Sequence, residues 1–405
     1  MIKVAILGFG VVGSGAAEVL ANNKNVIEKN LGQTVTVGRI LDLREFPDSP
    51  FGHLVTHDFN DILNDREISV VAEMMGGSHP AYDFTKACLE AGKHVVTSNK
   101  EVVARFGAEL LDLAAQNGVR YLFEASVGGG IPVIRPMVND LASNEIERVD
   151  GILNGTTNYI LTRMIAAGAT FEDALCEAQA KGYAEANPAA DVEGLDAARK
   201  IVILAALSFG TLLSPDKIAC EGITKLTIAD VGVAKELGYS IKLIGHTEKI
   251  GGKVLAMVSP RMVPLNNPLS GITDVFNGIL VDANMVGEVM FYGQGAGKLP
   301  TASAVVADII DIVAHMGREG VRAPKFTVAT DADYADFSTY ACRSCFSFWA
   351  EDGAIEKIKS VFGDVKTVSH GNRIAFIGDE MTEREATNKA AQTGLTLLSR
   401  IRVLG

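Results

Sequence analysis

The chain has 405 residues, 48% of them hydrophobic and 21% charged, and a formal net charge of −12. This composition is typical of a folded globular protein, and the length predicts two to three domains. Lysine and arginine form no block, so we expect neither nucleic acid nor an anionic membrane as a partner. The apolar run at 201–213 is shorter than the about 20 residues that span a bilayer, and no secretory signal is evident.

The cysteines are few, odd in number and scattered along the chain. They are Cys88, Cys176, Cys220, Cys342 and Cys345. This usage predicts reduced thiols and a cytoplasmic location. Cys342 and Cys345 have the spacing of a redox motif, but they lie in a strand-like run, and we interpret the spacing as chance.

A glycine motif follows the first predicted strand. The apolar run 2–7 predicts a buried parallel strand, and an apolar helix follows the motif. In that setting a G-x-G-x-x-G pattern predicts dinucleotide binding: the first glycine allows the turn, the second admits the pyrophosphate, and the third allows close packing. The candidate cofactor-binding residues are Gly8, Phe9, Gly10, Val11, Val12 and Gly13.

The end of the next predicted strand, 34–41, is where a dinucleotide's ribose is recognised. Asp42 suits a 2′-hydroxyl and would repel a 2′-phosphate, whereas Arg44 suits the phosphate. The two cues conflict. The residues alone therefore do not settle NAD against NADP. Because an arginine in this stretch serves the 2′-phosphate in related enzymes, we predict NADP with Arg44 as a contact, and NAD as a possible second coenzyme.

Strands and helices alternate through the first third of the chain. Further strands are predicted at 70–74, 94–97 and 120–124, with helices at 80–91 and 101–117. This order predicts an α/β fold with a Rossmann-type, doubly wound parallel sheet. Ligands of such sheets bind beyond the carboxyl ends of the strands, where Lys100 and Glu124 fall.

A segment rich in ionisable residues precedes a long apolar helix near the middle of the chain. Glu185 lies in a turn, and Asp196 and Lys200 lie at the start of a helix predicted at 194–209. Residues four apart share one face of a helix, so Asp196 is expected beside Lys200. A carboxylate orients an amine and tunes its proton affinity, although a solvated ion pair is the commoner meaning of this spacing alone.

The whole segment resembles the signature of homoserine dehydrogenases, and the resemblance extends over about the first 320 residues. The matching positions are Ala178, Gly182, Asn187, Pro188, Asp191, Gly194, Asp196 and Lys200. The resemblance implies reversible NAD(P)H-dependent reduction of L-aspartate 4-semialdehyde to L-homoserine, a step of threonine, methionine and isoleucine biosynthesis.

The resemblance also implies roles for individual residues. Lys200 would transfer the proton, Asp196 would orient Lys200 and contact substrate, and Glu185 would receive the substrate's ammonium group or a bridging water. Lys100, in an element similar to the family's T-x-N-K, would lie near nicotinamide and substrate. The substrate side would further include Asn154 and Thr156, and the cofactor side Gly182 and Gly297.

A glycine-rich loop follows the strand predicted at 120–124, and its residues alone indicate an ordinary connection from strand to helix. One carboxylate with several backbone carbonyls forms an oxygen cage for a hard cation. The family resemblance implies a monovalent cation, usually sodium, and its ligands here would be Glu124, Val127, Gly129 and Ile131.

The chain after a polar linker at 318–336 is predicted to follow a β-α-β-β-α-β order, the ferredoxin-like unit. It resembles an ACT regulatory domain, but the loop at 351–353 lacks the expected proline, so amino-acid sensing and a pairing module both stay open. We predict domains at 1–131, completed by a helix at 300–317, at 132–299 for substrate binding and dimerisation, and at 338–405. A homodimer or homotetramer is expected.

Two alternatives use the same layout. One is an oxidoreductase acting on a different amino-acid aldehyde or imine; a phosphorylating enzyme of this kind would need a cysteine nucleophile, and no cysteine falls at the carboxyl end of a strand. The other is a non-catalytic NAD(P)-binding sensor, which leaves Glu185, Asp196 and Lys200 without a purpose.

Overall fold

The computed structural model describes residues 1–318 and 320–405, and Glu319, within the predicted linker, lies outside them. The chain forms two compact units. The first comprises Met1–Ile146, Val202–Pro215 and Ala283–Ala329, and the second comprises Glu147–Ile201, Asp216–Asp282 and Thr330–Gly405. The three domains predicted from the sequence are a finer division, which stays a prediction.

The β-strands are numbered in chain order. They are β1 (Ile2–Leu7), β2 (Val35–Leu41), β3 (Val55–Thr56), β4 (Ile68–Glu73), β5 (His94–Thr97), β6 (Tyr121–Leu122), β7 (Ile146–Ile152), β8 (Thr211–Leu212), β9 (Ala219–Cys220), β10 (Tyr239–Ile250), β11 (Lys253–Pro264), β12 (Phe276–Ala283), β13 (Gly287–Gln294), β14 (Thr327–Val328), β15 (Ala341–Cys342), β16 (Ser344–Trp349), β17 (Val368–His370), β18 (Arg373–Ile377), β19 (Met381–Thr382) and β20 (Leu397–Val403).

The α-helices follow the same scheme. They are α1 (Val11–Asn22), α2 (Lys24–Leu31), α3 (Asn60–Leu63), α4 (Ala81–Glu90), α5 (Lys100–Gln116), α6 (Ile134–Asn139), α7 (Gly155–Ala167), α8 (Phe171–Ala180), α9 (Ala189–Val192), α10 (Leu195–Phe209), α11 (Ile228–Leu237), α12 (Lys298–His315), α13 (Ala354–Phe362) and α14 (Glu383–Gln392). Among the described residues, none of these helices has the length and apolar character needed to cross a membrane.

The first unit is built on a six-stranded parallel sheet with the strand order β3-β2-β1-β4-β5-β6. This order confirms the doubly wound parallel sheet predicted from the alternating pattern. Residues of β1 and β4, such as Val4 and Val70, share one apolar core with Val305 and Ile309 of α12. The helix near the end of this unit therefore completes the sheet, as its apolar stripe predicts.

The second unit contains a mixed sheet in which β12, β7, β10, β11, β20, β16, β18 and β17 are neighbours in that order. Strands β10 and β11 form an antiparallel pair along their whole length. The C-terminal segment joins this sheet because β20 runs parallel to β11. Four strands of this segment lie in the order β20-β16-β18-β17 with antiparallel neighbours, so the predicted ferredoxin-like arrangement is confirmed.

Candidate active site

The glycine motif after β1 has the backbone geometry that its spacing predicts. Gly8 has a φ of +88°, and a Cβ atom there would lie 3.0 Å from the carbonyl oxygen of Met74. A Cβ at Gly13 would lie 2.0 Å from the carbonyl oxygen of Gly8. A Cβ at Gly10, by contrast, would meet no atom within 4 Å. Gly8 and Gly13 therefore shape the loop, while Gly10 leaves the N-terminus of α1 open to a ligand.

Replacing Gly13 by alanine is expected to lower the free energy of unfolding by about 2–3 kcal/mol, because backbone atoms must move to admit the methyl group. The clash is with the main chain of Gly8, which no rotamer change relieves. Gly10→Ala is the matched control, and we expect its unfolding free energy to stay within about 0.5 kcal/mol of the parent. Urea denaturation measures both; equal stability of the two variants would contradict the packing role of Gly13.

Asp42 and Arg44, the two conflicting coenzyme cues, form an ion pair. Arg44 Nε lies 3.0 Å from Asp42 Oδ1, and Asp42 Oδ2 accepts the main-chain N–H of Phe9 at 2.8 Å. Burial opposes ionisation of Asp42, but hydrogen bonds from Arg44 and Phe9 outweigh it and lower the pKa of the carboxyl. Asp42 is thus held inside the loop by its hydrogen bonds, while the Arg44 side chain is 63% exposed.

Lys100 is the first residue of α5 and is half-buried. The preceding residue, Asn99, caps the helix by accepting the N–H groups of Glu101 and Val102 at 3.2 Å each. Gly297, a second predicted cofactor contact in the same unit, is the N-cap of α12 with a φ of +123°. Both residues therefore lie where a helix begins.

Lys200 and Asp196 form a buried ion pair in the second unit. The Lys200 ammonium donates to Asp196 Oδ2 and to the carbonyl oxygen of Leu153, each at 2.7 Å. Only 9% and 8% of the two side chains are exposed. The contact predicted from the i,i+4 spacing is confirmed, and its burial distinguishes it from a solvated surface pair.

Asn154 extends this pair into a network. Its amide donates to Asp191 Oδ1 at 2.7 Å and to Asp196 Oδ2 at 2.9 Å. Its amide oxygen accepts the N–H of Thr157 at 2.9 Å and so caps α7. Asn154 therefore links Asp191 and Asp196 within the site. The sequence did not predict this role, although Asp191 of the signature could have suggested it.

The remaining predicted contacts of this unit, to substrate for Thr156 and Glu185 and to cofactor for Gly182, lie on or beside the loop after α8. Thr156 donates its hydroxyl to the carbonyl oxygen of Tyr183 at 2.6 Å. Gly182 has a φ of +74° just after the helix. Glu185 is exposed, and its main-chain oxygen accepts a hydrogen bond from Gln179 at 3.1 Å. Thr156 thus anchors this loop, while the Glu185 side chain faces solvent.

The Glu124 carboxylate, predicted as a cation ligand, has other partners. It accepts the main-chain N–H groups of Val133, Ile134 and Arg135 at 2.6–2.8 Å. The Glu124 N–H donates to Asp308 at 2.8 Å. Burial and the Glu124 charge raise the pKa of Asp308. Three donors thus occupy most of the Glu124 carboxylate, and its part in holding a cation stays a prediction.

The main-chain oxygens of the same loop remain suited to a cation. Val127, Gly129 and Ile131 are buried, and within residues 1–318 and 320–405 their carbonyl oxygens accept no hydrogen bond. Buried carbonyls without a partner are uncommon and fit a hard, oxygen-seeking ion. No group of three or more His, Cys, Asp or Glu side chains able to hold a metal occurs in the described part of the chain.

Comparisons with known proteins point to one enzyme family. The family model described as "Homoserine dehydrogenase" matches residues 132–310, and that described as "Homoserine dehydrogenase, NAD binding domain" matches residues 8–124. A homoserine dehydrogenase from Synechocystis is 44% identical over 318 residues, which are 77% of this chain and 73% of the relative.

Solved structures give the same result. A homoserine dehydrogenase from Thiobacillus denitrificans superposes with a TM-score of 0.90 at 34% identity, covering 100% of this chain and 98% of the other. A hyperthermophilic archaeal homoserine dehydrogenase in complex with NADPH gives a TM-score of 0.67 at 27% identity, covering 78% and 99%. On its sequence and its fold, the chain belongs to the homoserine dehydrogenase family.

Proposed function

We propose that this chain catalyses the reversible NAD(P)H-dependent reduction of L-aspartate 4-semialdehyde to L-homoserine, with Lys200 as the proton-transfer residue. The observation that carries the assignment is the buried Lys200–Asp196 ion pair, with Lys200 also held by the carbonyl of Leu153. A buried charge pair costs desolvation energy, so its retention calls for a function. The pair also occupies the positions that the family signature gives it.

The direction of proton transfer depends on the protonation state of Lys200. When bound, the reduced nicotinamide supplies the hydride that goes to the aldehyde carbon. The Lys200 ammonium then donates a proton to the carbonyl oxygen as negative charge develops there, and in the reverse direction the neutral amine takes the hydroxyl proton. Asp196 keeps the amine in its rotamer, and Asn154 holds Asp196 in turn.

The other polar residues are assigned to substrate binding. Glu185, exposed in its loop, receives the substrate's ammonium group directly or through a water, and Thr156 holds that loop. Lys100 stabilises negative charge on the substrate, either at the reacting oxygen or at the carboxylate. A lysine at a helix N-terminus opposes the helix dipole, so its placement there is mildly unfavourable without such a role.

The assay that tests the proposal follows the absorbance of reduced nicotinamide with homoserine as the sole substrate and NADP or NAD as the oxidant. Turnover that depends on homoserine supports it. Coenzyme binding without turnover would instead indicate the sensor, and activity only with another amino alcohol would indicate the related reductase. Cys88, Cys342 and Cys345 are buried, which leaves them unsuited to act as an aldehyde-oxidising nucleophile.

For the coenzyme we propose NADP, with NAD as a possible second substrate. Arg44 is exposed and lies beside the ribose-reading end of β2, so its guanidinium can turn from Asp42 to a 2′-phosphate. The archaeal relative solved with NADPH supports this choice. The argument for NAD, a carboxylate at Asp42 that suits a 2′-hydroxyl, is weaker because Asp42 already accepts N–H groups from Phe9 and Arg44.

Replacing Arg44 by alanine is expected to lower kcat/KM for NADPH by about 10- to 100-fold, because a charge-assisted hydrogen bond is worth about 1.5–3 kcal/mol. The value for NADH should change little. Steady-state kinetics with both coenzymes check this. Arg39→Ala, which removes an exposed arginine of β2, is the control. An equal loss with both coenzymes would contradict recognition of the 2′-phosphate.

A monovalent cation, sodium, is assigned to the loop that follows β6. Its ligands would be the buried carbonyl oxygens of Val127, Gly129 and Ile131, with the main-chain oxygen of Glu124 in place of its carboxylate. The ion would serve to fix the loop. Assembly into a homodimer or homotetramer, and any effector binding by the C-terminal ferredoxin-like segment, stay predictions.

A further inference from the structure

Glu73 is a buried carboxyl group that the proposed mechanism does not use. It is the last residue of β4, and it is 0% exposed. Its strand partners are Leu7 on one side and Thr97 on the other. Among the described residues it forms no ion pair, so only neutral donors stabilise its charge. A buried carboxylate without a cationic partner is costly, so each of its contacts matters.

The Glu73 carboxylate connects two loops at the carboxyl edge of the sheet. Oε1 accepts the main-chain N–H of Met75 at 2.7 Å, in the loop after β4. Oε2 accepts the hydroxyl of Thr97 at 2.6 Å, at the end of β5. The first loop also contacts the glycine motif, since Met74 lies against Gly8. The carboxylate thus joins two loops, and the first of these lies against the glycine motif.

The same contacts continue to Lys100. The Thr97 oxygen accepts the N–H of Asn99 at 2.9 Å. Asn99 donates from its side-chain amide to the carbonyl of Gly77 at 2.7 Å and caps α5 with its amide oxygen. Lys100 is the next residue. The start of α5 is therefore tied to Glu73 through two buried side chains.

We propose that Glu73 is a positioning residue for the dehydrogenase reaction. Through Thr97 and Asn99 it sets the place of Lys100, and through Met75 it sets the loop beside the dinucleotide motif. The inference rests on the proposed function, because it uses the role assigned to Lys100. The ionised carboxylate is the form that accepts both hydrogen bonds at once.

The protonation state of Glu73 gives the proposal a pH dependence. Burial raises the pKa of Glu73 to about 7, although its hydrogen bonds from Thr97, Met75 and Asn99 favour the charged form. Below that pKa one carboxyl oxygen carries a proton and faces a donor, so one of the two contacts is lost or reversed. The titratable group on which the Glu73 charge acts is the buried phenol of Tyr121, whose pKa is raised by burial and by that charge.

The raised pKa of Glu73 sets the direction of the pH dependence. The ordered arrangement is present above about pH 7 and is lost as the pH falls through that value. Glu73→Gln fixes the neutral form at every pH, because its amide group presents a donor where Met75 or Thr97 also donates. We therefore expect the variant to match the parent most closely in acid and to differ most in alkali.

The test compares Glu73→Gln with Glu67→Gln, an exposed glutamate directly before the same strand. The dissociation constant of NADPH and kcat/KM for homoserine are measured between about pH 6 and pH 8.5, with thermal unfolding as a check of folding. Dividing the parent's kcat/KM by the variant's, and the variant's dissociation constant by the parent's, cancels other titrating groups. We expect both ratios to rise about tenfold from acid to alkali, with one inflexion near pH 7, for Glu73→Gln, and to stay flat for Glu67→Gln.

Variants of Thr97 provide a second test in which Glu73 keeps its charge. Thr97→Val removes the hydroxyl, and Thr97→Ser retains it; we expect loss of activity in the first and recovery in the second. A flat ratio for Glu73→Gln, or full activity of Thr97→Val, overturns the inference. If the parent itself fails to oxidise homoserine, the proposed function is wrong, and the NADPH ratio alone then decides the positioning role.

Discussion

Replacement of Lys200 by alanine is expected to reduce turnover by about 100- to 10,000-fold, the range that a positioned general acid or base contributes. The ammonium that donates to Asp196 and Leu153 is lost, and a methyl group offers no proton. Binding of NADPH should persist, because the glycine motif and Arg44 belong to a different compact unit of the chain. Steady-state rates and NADPH fluorescence titration measure the two effects.

Two further variants distinguish the loss of proton transfer from the loss of a positive charge and from general damage to the fold. Lys200→Arg keeps the positive charge, but a guanidinium does not give up its proton near neutral pH, so homoserine oxidation should remain lost. Lys217→Ala removes a lysine whose ion pair with Asp331 is exposed, and it should leave turnover unchanged. Near-full activity of either Lys200 variant would show that another group transfers the proton.

The sequence predicts those parts of the fold whose pattern is local. The apolar run of β1 and the strand His94–Thr97 have their predicted bounds, because period and composition alone define a buried strand. Helix α11 was missed, since a central glycine and β-branched residues obscure it; its capping box of Thr227 and Asp230 was the available signal. Strand β17 covers Val368–His370 because its hairpin pairing with Arg373, and not a local pattern, sets its bounds.

In the candidate site, too, only contacts between residues close in sequence could be predicted. The contact between Asp196 and Lys200 is predictable because helix geometry alone brings the two residues together. The partners of Glu124 lie nine to eleven residues further on, and only the path of the folded chain brings their N–H groups to the carboxylate. Glu73 was likewise missed, although a lone carboxylate ending an apolar strand signals a group that needs buried donors.

Replacing Asp196 by asparagine is expected to lower turnover about 100-fold and the free energy of unfolding by about 3 kcal/mol, since removal of one partner leaves a buried charge unpaired. Asp196 Oδ2 accepts both the Lys200 ammonium and the Asn154 amide. An asparagine oxygen in this place can still accept both donors, but it carries no negative charge to balance the Lys200 ammonium. Urea denaturation and steady-state kinetics measure the two losses.

The exposed pair of Lys217 and Asp331 provides the matched control, because its ions are also 2.7 Å apart. Asp331→Asn should change stability by less than about 1 kcal/mol, as expected for solvated pairs. Adding Lys200→Met to Asp196→Asn removes the unpaired charge, so stability should largely return while turnover stays absent. If activity returned together with stability, the pair would hold the fold and take no part in the chemistry.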